Sequence, residues 1–238
     1  MKKAIIIGAS SGIGRELAKI YAENNYILGL VARRVELLRR LRDELNTETY
    51  VKYIDISKPE EAMNQLSGLI AEMKDIDLII ITSGTGHINQ ELDWRKEKDT
   101  IDVNVIGVTS MINVSLKYFI EKNSGQLAVI SSFADLRGGS DSPAYNASKA
   151  YISNYLEGIR CKVKKENMNI TITDIRPGPV DTDMTKGDGL FWVQPAEKAA
   201  RQIYAKINKK KAVAYVTKRW RVMAFIMKNI PNRLLYKM

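Results

Sequence analysis

The sequence predicts an α/β fold, a single doubly wound parallel sheet of about seven strands with a short basic amphipathic C-terminal extension. Three observations carry this prediction. Short β-branched runs alternate with amphipathic stretches, the pattern of repeated strand–helix–strand units. A glycine-rich segment, residues 8–14, lies between the first such run and the first amphipathic stretch. The 238 residues contain no linker, low-complexity tract or internal repeat, so residues 1–216 read as one domain and 217–238 as a helical extension.

The elements follow in order. Residues 4–7 are Ala-Ile-Ile-Ile, a strand apolar on both faces and therefore buried on both. Residues 26–32 and 49–54 read as the second and third strands, and 78–81 as the fourth. Residues 127–131, 170–175 and 212–216 complete the set. Helices are predicted over 14–22 and over 35–45, the latter with apolar residues at 35, 38, 41 and 45. Ser57-Lys58-Pro59-Glu60 opens a further helix, with Ser57 as N-cap, Pro59 in the first turn and Glu60 at the capping-box position. Ser142-Pro143 opens another in the same way, and that helix runs to about Lys165.

Composition bounds the function. With 45% hydrophobic and 27% charged residues the chain has ordinary globular composition and length enough for a substantial core. The single cysteine, Cys161, cannot form an internal disulfide, which fits a reducing, cytoplasmic setting, and it reads as a helix packing residue. One Cys and one His (His87) make a metal site built on those ligands improbable, so none is assigned. The run at 4–7 is too short for a signal-peptide core, and no stretch approaches the roughly 18 uninterrupted apolar residues that span a bilayer. Of 37 basic residues, 12 lie in 198–238, where there is no Asp or Glu, leaving 25 basic against 27 acidic before it. A surface otherwise lacking positive excess argues against nucleic-acid binding.

The chemistry-bearing motifs are ordered along this framework. Gly8-Ala9-Ser10-Ser11-Gly12-Ile13-Gly14 joins the first strand to a helix. Glycines allow a tight turn and close backbone approach, and the following helix N-terminus offers free N–H groups to a pyrophosphate. The second strand ends Val31-Ala32-Arg33-Arg34 with no acid. Arginine there suits a 2′-phosphate, so NADP(H) is favoured over NAD(H), the alternative being two cations that merely open a surface helix. Asp55 is placed to reach an adenine or to cap a helix. Tyr145 and Lys149 stand at i and i+4 and share one helix face. A lysine cation beside a phenol lowers its pKa, and a hydroxyl such as Ser132 can hold a carbonyl oxygen.

Joined, these pieces over residues 1–217 resemble the short-chain dehydrogenase/reductase family, whose domain is a Rossmann-type sheet. The matching residues are Gly8, Gly12 and Gly14, Asp55, Asn104 in Val103-Asn104-Val105-Ile106-Gly107, Ser132, Tyr145 with Lys149, and Pro177-Gly178-Pro179-Val180-Asp181-Thr182. The resemblance implies hydride transfer between NADP(H) and a carbonyl or secondary alcohol. Tyr145 would be the proton donor, Lys149 its tuner and ribose ligand, Ser132 the holder of the substrate oxygen. Asn104 would hold a relay water. It further implies cofactor contacts from Gly8, Ser10, Ser11, Gly12, Ile13, Gly14, Arg33, Arg34, Asp55, Ile56, Ser83, Gly84, Asn104, Tyr145 and Lys149, and from Pro177, Gly178, Val180 and Thr182. A homodimer or homotetramer is expected.

Three positions depart from the family pattern. Ile81-Thr82-Ser83-Gly84 replaces the usual Asn-Asn-Ala-Gly, and Thr82 and Ser83 are expected to brace backbone instead. Ile7 replaces a threonine before the first glycine, and Ser11 stands where NADP(H)-preferring members often carry a basic residue.

The substrate side is less legible. Residues 185–194 are expected to form a lid with apolar Leu190, Phe191 and Trp192, and Phe133, Leu136 and His87 to line a pocket for an apolar carbonyl compound or its alcohol. The tail mixes Trp220, Val222, Met223, Phe225, Ile226, Met227, Ile230, Leu234, Leu235 and Tyr236 with six basic residues and no acid, and Pro231 should split it into two short helices. It can pack on its own domain, cover the pocket, form a homo-oligomer interface, or lie on an anionic membrane as a peripheral contact. A catalytically idle dinucleotide-binding or membrane-peripheral scaffold on the same fold is the alternative function. Such a protein is expected to have lost one of Ser132, Asn104, Tyr145 or Lys149, and all four are present.

Overall fold

The computed structural model describes residues 1–185 and 192–235. The first half runs β1 (Lys3–Ile7), α1 (Gly12–Glu23), β2 (Ile27–Ala32), α2 (Val35–Glu44), β3 (Thr49–Tyr53), α3 (Pro59–Met73) and β4 (Leu78–Ile81). It continues with α4 (Trp94–Ile101), a π-helical turn (Asp102–Gly107), α5 (Val108–Lys122), β5 (Gly125–Ile130), a 3₁₀ turn (Phe133–Leu136) and α6 (Pro143–Lys165). The last part holds β6 (Ile170–Pro177), β7 (Val180–Asp181), β8 (Gln194–Pro195), α7 (Ala196–Asn208), β9 (Val213–Val216), α8 (Lys218–Asn229) and α9 (Asn232–Leu235).

The predicted seven strands form one parallel sheet, its order being β3-β2-β1-β4-β5-β6-β9, and β7 pairs with β8 outside it. Side chains alternate across a strand, and here both faces are apolar. Ile5, Ile7, Ile79, Ile81, Leu127 and Val129 join one core with residues of α3, α5 and α6. Ala4, Ile6, Leu28, Leu30, Ile80 and Ala128 join a second core with α1, α2 and α7. Each fully buried Ile or Leu contributes about 1.5–3 kcal/mol of transfer free energy, so continuous isoleucine runs suit these positions.

The chain order reverses between β1 and β4, and in open parallel sheets ligands settle in the crevice beyond the strand ends at such a point. The loops after β1, β4, β5 and β6 all open on that edge.

Several local expectations are corrected. Ser57 does not cap α3, because its hydroxyl and N–H both donate to Asp55 Oδ1, at 2.8 and 3.1 Å, and Lys58 takes the cap position. Ser142 does stand at the cap of α6, with its hydroxyl unused there. Cys161 is exposed rather than packed. The stretch Trp94–Lys122 has the length and hydropathy to cross a bilayer, but 56% of its most apolar window is buried inside this fold.

Candidate active site

The glycine loop is fixed by backbone crowding. Gly8 and Gly12 have φ of +99° and +54°, a region unfavourable to other residues. A Cβ on Gly14 would lie 2.2 Å from the Gly8 carbonyl oxygen, so only glycine lets α1 start this close under the loop. Thr82 Oγ1 donates to the carbonyls of Ile7 and Gly8 at 3.0 and 3.1 Å, and the N–H of Ser83 donates to Ile7 at 3.1 Å. The departure after β4 therefore still braces the loop, with a hydroxyl where the family has an amide.

Arg34 bends back over this loop, its guanidinium donating to Ser11 Oγ at 2.6 Å and Ser10 Oγ at 3.2 Å. It also stands 4.0 Å from Asp183, and the Thr182 methyl lies 2.9 Å from a Cβ built on Gly12. The segment after β6 thus reaches across to the loop after β1. Arg33 is exposed at the end of β2, and Ile13 is half-buried against the apolar layer. The Ile56 and Val180 side chains are buried in the two cores, so only their backbones are available to a ligand. Asp55 has one oxygen engaged by Ser57. Gly178 donates its N–H to Val216 at 2.7 Å and faces the Trp220 indole, 2.2 Å from where a Cβ would sit.

The four catalytic candidates come from three places. Asn104 sits fully buried in the π-helical turn, a form that extrudes a residue from an otherwise regular helix. Its Oδ1 accepts from the Thr85 N–H at 2.8 Å, and its Nδ2 donates to the Thr85 carbonyl at 2.8 Å and to Ser148 Oγ at 3.0 Å. A Cβ on Gly84 would lie 3.2 Å from Lys149 Nζ and 3.3 Å from Asn104 Oδ1, so these two polar groups flank one bare glycine. Gly86 likewise leaves room for the Tyr145 ring, 2.9 Å from its would-be Cβ.

Tyr145 and Lys149 share a face of α6, with Lys149 Nζ 5.5 Å from the phenol ring centre. Ser132 caps the 3₁₀ turn by accepting from the Ala134 N–H at 3.0 Å, and its hydroxyl lies beside the Tyr145 phenol. Burial pushes the Tyr145 phenol above its usual range, and the Ser132 hydroxyl returns only part of that shift. The net shift is upward, so burial outweighs the lowering expected from the Lys149 cation. Burial also lowers Lys149 to about 8, against which the Asp174 carboxylate pulls upward. A cation that is itself desolvated and 5.5 Å from the ring centre does not offset the burial of the phenol.

Several supporting residues carry no motif of their own. Asn146 donates Nδ2 to the carbonyls of Ala134 and Arg137 at 3.1 and 2.9 Å, tying the Ser132 turn to α6. Beneath it Arg176 bridges Asp135 at 2.9 Å and Asp174 at 2.8 Å, and Asp174 accepts from the Ser131 hydroxyl at 2.5 Å. Burial raises Asp135 to about 6 despite the Arg176 cation. A buried acid three residues after Ser132 was a detectable signal; its partner Arg176, on the neighbouring strand β6, was not.

On the outer side, Phe133 meets Trp220 with centroids 4.6 Å apart, and Trp192 meets Trp220 at 6.1 Å. Leu190 and Phe191 of the expected lid lie outside the described residues. His87 pairs with Asp99 of α4 at 2.7 Å. No cluster of three or more metal-ligating side chains occurs among the described residues.

Known proteins match this arrangement. The short chain dehydrogenase family model covers residues 2–190. An uncharacterized oxidoreductase of Myxococcus xanthus is 31% identical over 189 residues, covering 77% of this chain and 74% of that protein. A 3-oxoacyl-[acyl-carrier-protein] reductase of Chlamydia muridarum is 29% identical over 192 residues, covering 78% and 77%. Among solved structures, an alcohol dehydrogenase of Thermococcus sibiricus complexed with 5-hydroxy-NADP aligns with a TM-score of 0.80 at 24% identity, covering 91% of this chain and 95% of that one. A short-chain dehydrogenase of Sphingobium yanoikuyae in complex with NADPH aligns at 0.81 and 20% identity, covering 97% of each. The chain is therefore an oxidoreductase of the short-chain dehydrogenase/reductase family.

Proposed function

We propose that this protein is a cytoplasmic NADP(H)-dependent reductase of apolar carbonyl compounds, working reversibly on the corresponding secondary alcohols. The observation that carries the reading is the Ser132–Tyr145–Lys149 group, with Asn104 behind Lys149, at the mouth of a cradle whose glycines exclude side chains. The cradle fits a dinucleotide, since Gly8, Gly12 and Gly14 clear a path to the start of α1. The nicotinamide, when bound, supplies the hydride.

The chain's own residues manage the proton and the oxygen. Tyr145, held neutral by burial, keeps its proton available for the developing alkoxide. Ser132 is near enough to share a hydrogen bond with the same substrate oxygen. Lys149, mostly cationic below about 8, stabilises the phenolate that donation leaves behind. Asn104, anchored on both sides by Thr85, fixes the wall against which Lys149 rests.

Cofactor preference rests on Arg34 together with Arg33. Arg34 brings a cation onto Ser10 and Ser11 in space, supplying what the loop lacks in sequence. The NADP-type ligands of the two structural relatives support the same reading. The Phe133–Trp192–Trp220 aromatic group favours an apolar substrate over the acyl-carrier-protein-linked one named for the Chlamydia relative. Exposed Trp94, Ile106 and Tyr151 on the α4–α6 side supply an apolar face for a homodimer or homotetramer.

The test is a screen of apolar ketones and aldehydes with NADPH and NADH, run on the parent and on Tyr145→Phe. NADPH oxidation that depends on substrate and is lost in Tyr145→Phe is expected. Undiminished turnover in that variant would falsify the mechanism.

A further inference from the structure

The helix α8 is apolar on two faces, and among the described residues only one of them is buried. Trp220, Met223, Ala224 and Met227 recur at i, i+3, i+4 and i+7 and turn inward. Trp220 and Ala224 are each 4% exposed, with Trp220 seated on Gly178 and against Phe133. The opposite face carries Val222, Phe225 and Ile226, which are 62%, 72% and 48% exposed. A second apolar stripe on a helix already packed by its first has no role in holding this chain together.

Charge identifies what would cover it. Arg219 flanks the exposed stripe on one side, and Arg221 and Lys228 flank it on the other. Residues 198–238 hold 12 basic residues and no acidic one. A second copy meeting this face through the same patch would bring two such clusters together, which repel. Zwitterionic lipid offers no attraction to them, whereas an anionic bilayer matches both the apolar stripe and its cationic borders. The stripe is also continuous with the site. Arg219 stacks over the Trp192 ring at 5.3 Å, and Trp192, itself 48% exposed, meets Trp220 beside the Ser132 turn.

We propose that the outer face of α8 docks on an anionic lipid surface, with Phe225 and Ile226 entering the headgroup region and the basic flanks on the phosphates. Docking there sets the mouth of the site against the bilayer. Resting on the reductase reading above, the substrate is then a carbonyl compound partitioned in the membrane.

The experiment is flotation of the full-length protein with vesicles of phosphatidylcholine alone and of phosphatidylcholine mixed with phosphatidylglycerol. The parent is expected to float with the mixed vesicles, to release at high salt, and to bind the neutral ones at least about ten-fold more weakly. Phe225→Glu/Ile226→Glu should lose flotation by a similar factor while melting at the parent's temperature, since both side chains are exposed. Absence of flotation with either vesicle overturns the proposal. So does undiminished flotation of the double variant, or a dimer in light scattering that the double variant abolishes while vesicle binding is absent. Flotation needs no turnover, so its outcome is independent of whether the carbonyl assignment holds.

Discussion

The two sides of the candidate site are built by different means. On the β1 side the cradle is a matter of backbone. Gly8 and Gly12 occupy left-handed conformations, and Gly14 abuts a carbonyl with no room for a methyl. On the α6 side the working groups are side chains held by specific polar partners: Ser148 and the Thr85 backbone on Asn104, Asn146 on the Ser132 turn, Arg176 between Asp135 and Asp174. The first kind of site tolerates almost no added atom. The second tolerates shape changes but not the loss of a hydrogen-bonding partner, because an orphaned buried polar group costs about 1–3 kcal/mol.

Substitutions can break or sharpen this contrast. The largest effect is expected at Tyr145→Phe, which removes one oxygen and should lower turnover about a thousand-fold while leaving cofactor affinity nearly unchanged, read by steady-state kinetics and fluorescence titration. Gly14→Ala should do the reverse. Its Cβ would press on the Gly8 carbonyl, so cofactor affinity should collapse and stability fall by about 1–3 kcal/mol in denaturant melts. If Gly14→Ala bound cofactor normally, the cradle would not be a steric one.

Asn104→Asp keeps the shape but replaces the donor that serves Thr85 and Ser148 with an acceptor, and should destabilise the fold by about 2 kcal/mol. Lys149 gives a pH-dependent prediction. Its folded pKa of about 8 lies below the ordinary 10.5, so the unfolded chain binds more protons across that window and stability rises with pH there. Lys149→Met should flatten the rise, measured as the difference in unfolding free energy between the two proteins at the ends of the window. Arg34→Ala should give the smallest change, about a ten-fold weaker NADPH affinity with little effect on NADH. An equal loss for both cofactors would place Arg34 on the pyrophosphate instead.

The same division explains what could be read from the sequence. The glycine loop, the strand runs and the Tyr145–Lys149 pair are local, each set by a few neighbouring residues and a period of 2 or 3.6. Hence the seven strands and the start of α6 were predicted within a few residues. The Ser57 cap failed because Asp55, two residues away, offered its hydroxyl and N–H a competing acceptor. The two-residue pair β7–β8 was missed because its partner strands flank a segment of a dozen residues and have no apolar period of their own.

By itself the sequence determined the strands of the sheet and the order of groups that the loops bring to it, because continuous apolar runs and obligatory glycines leave the backbone few choices. Only the tertiary structure decided the electrostatics. Burial raises Tyr145 and lowers Lys149, opposite for the phenol to what the pair's spacing alone suggests. It also decided which cation stands on the glycine loop, since Arg34 reaches Ser11 by a side-chain path that no spacing encodes. Desolvation and long side-chain reach depend on everything packed around a group, and that is fixed only when the chain has folded.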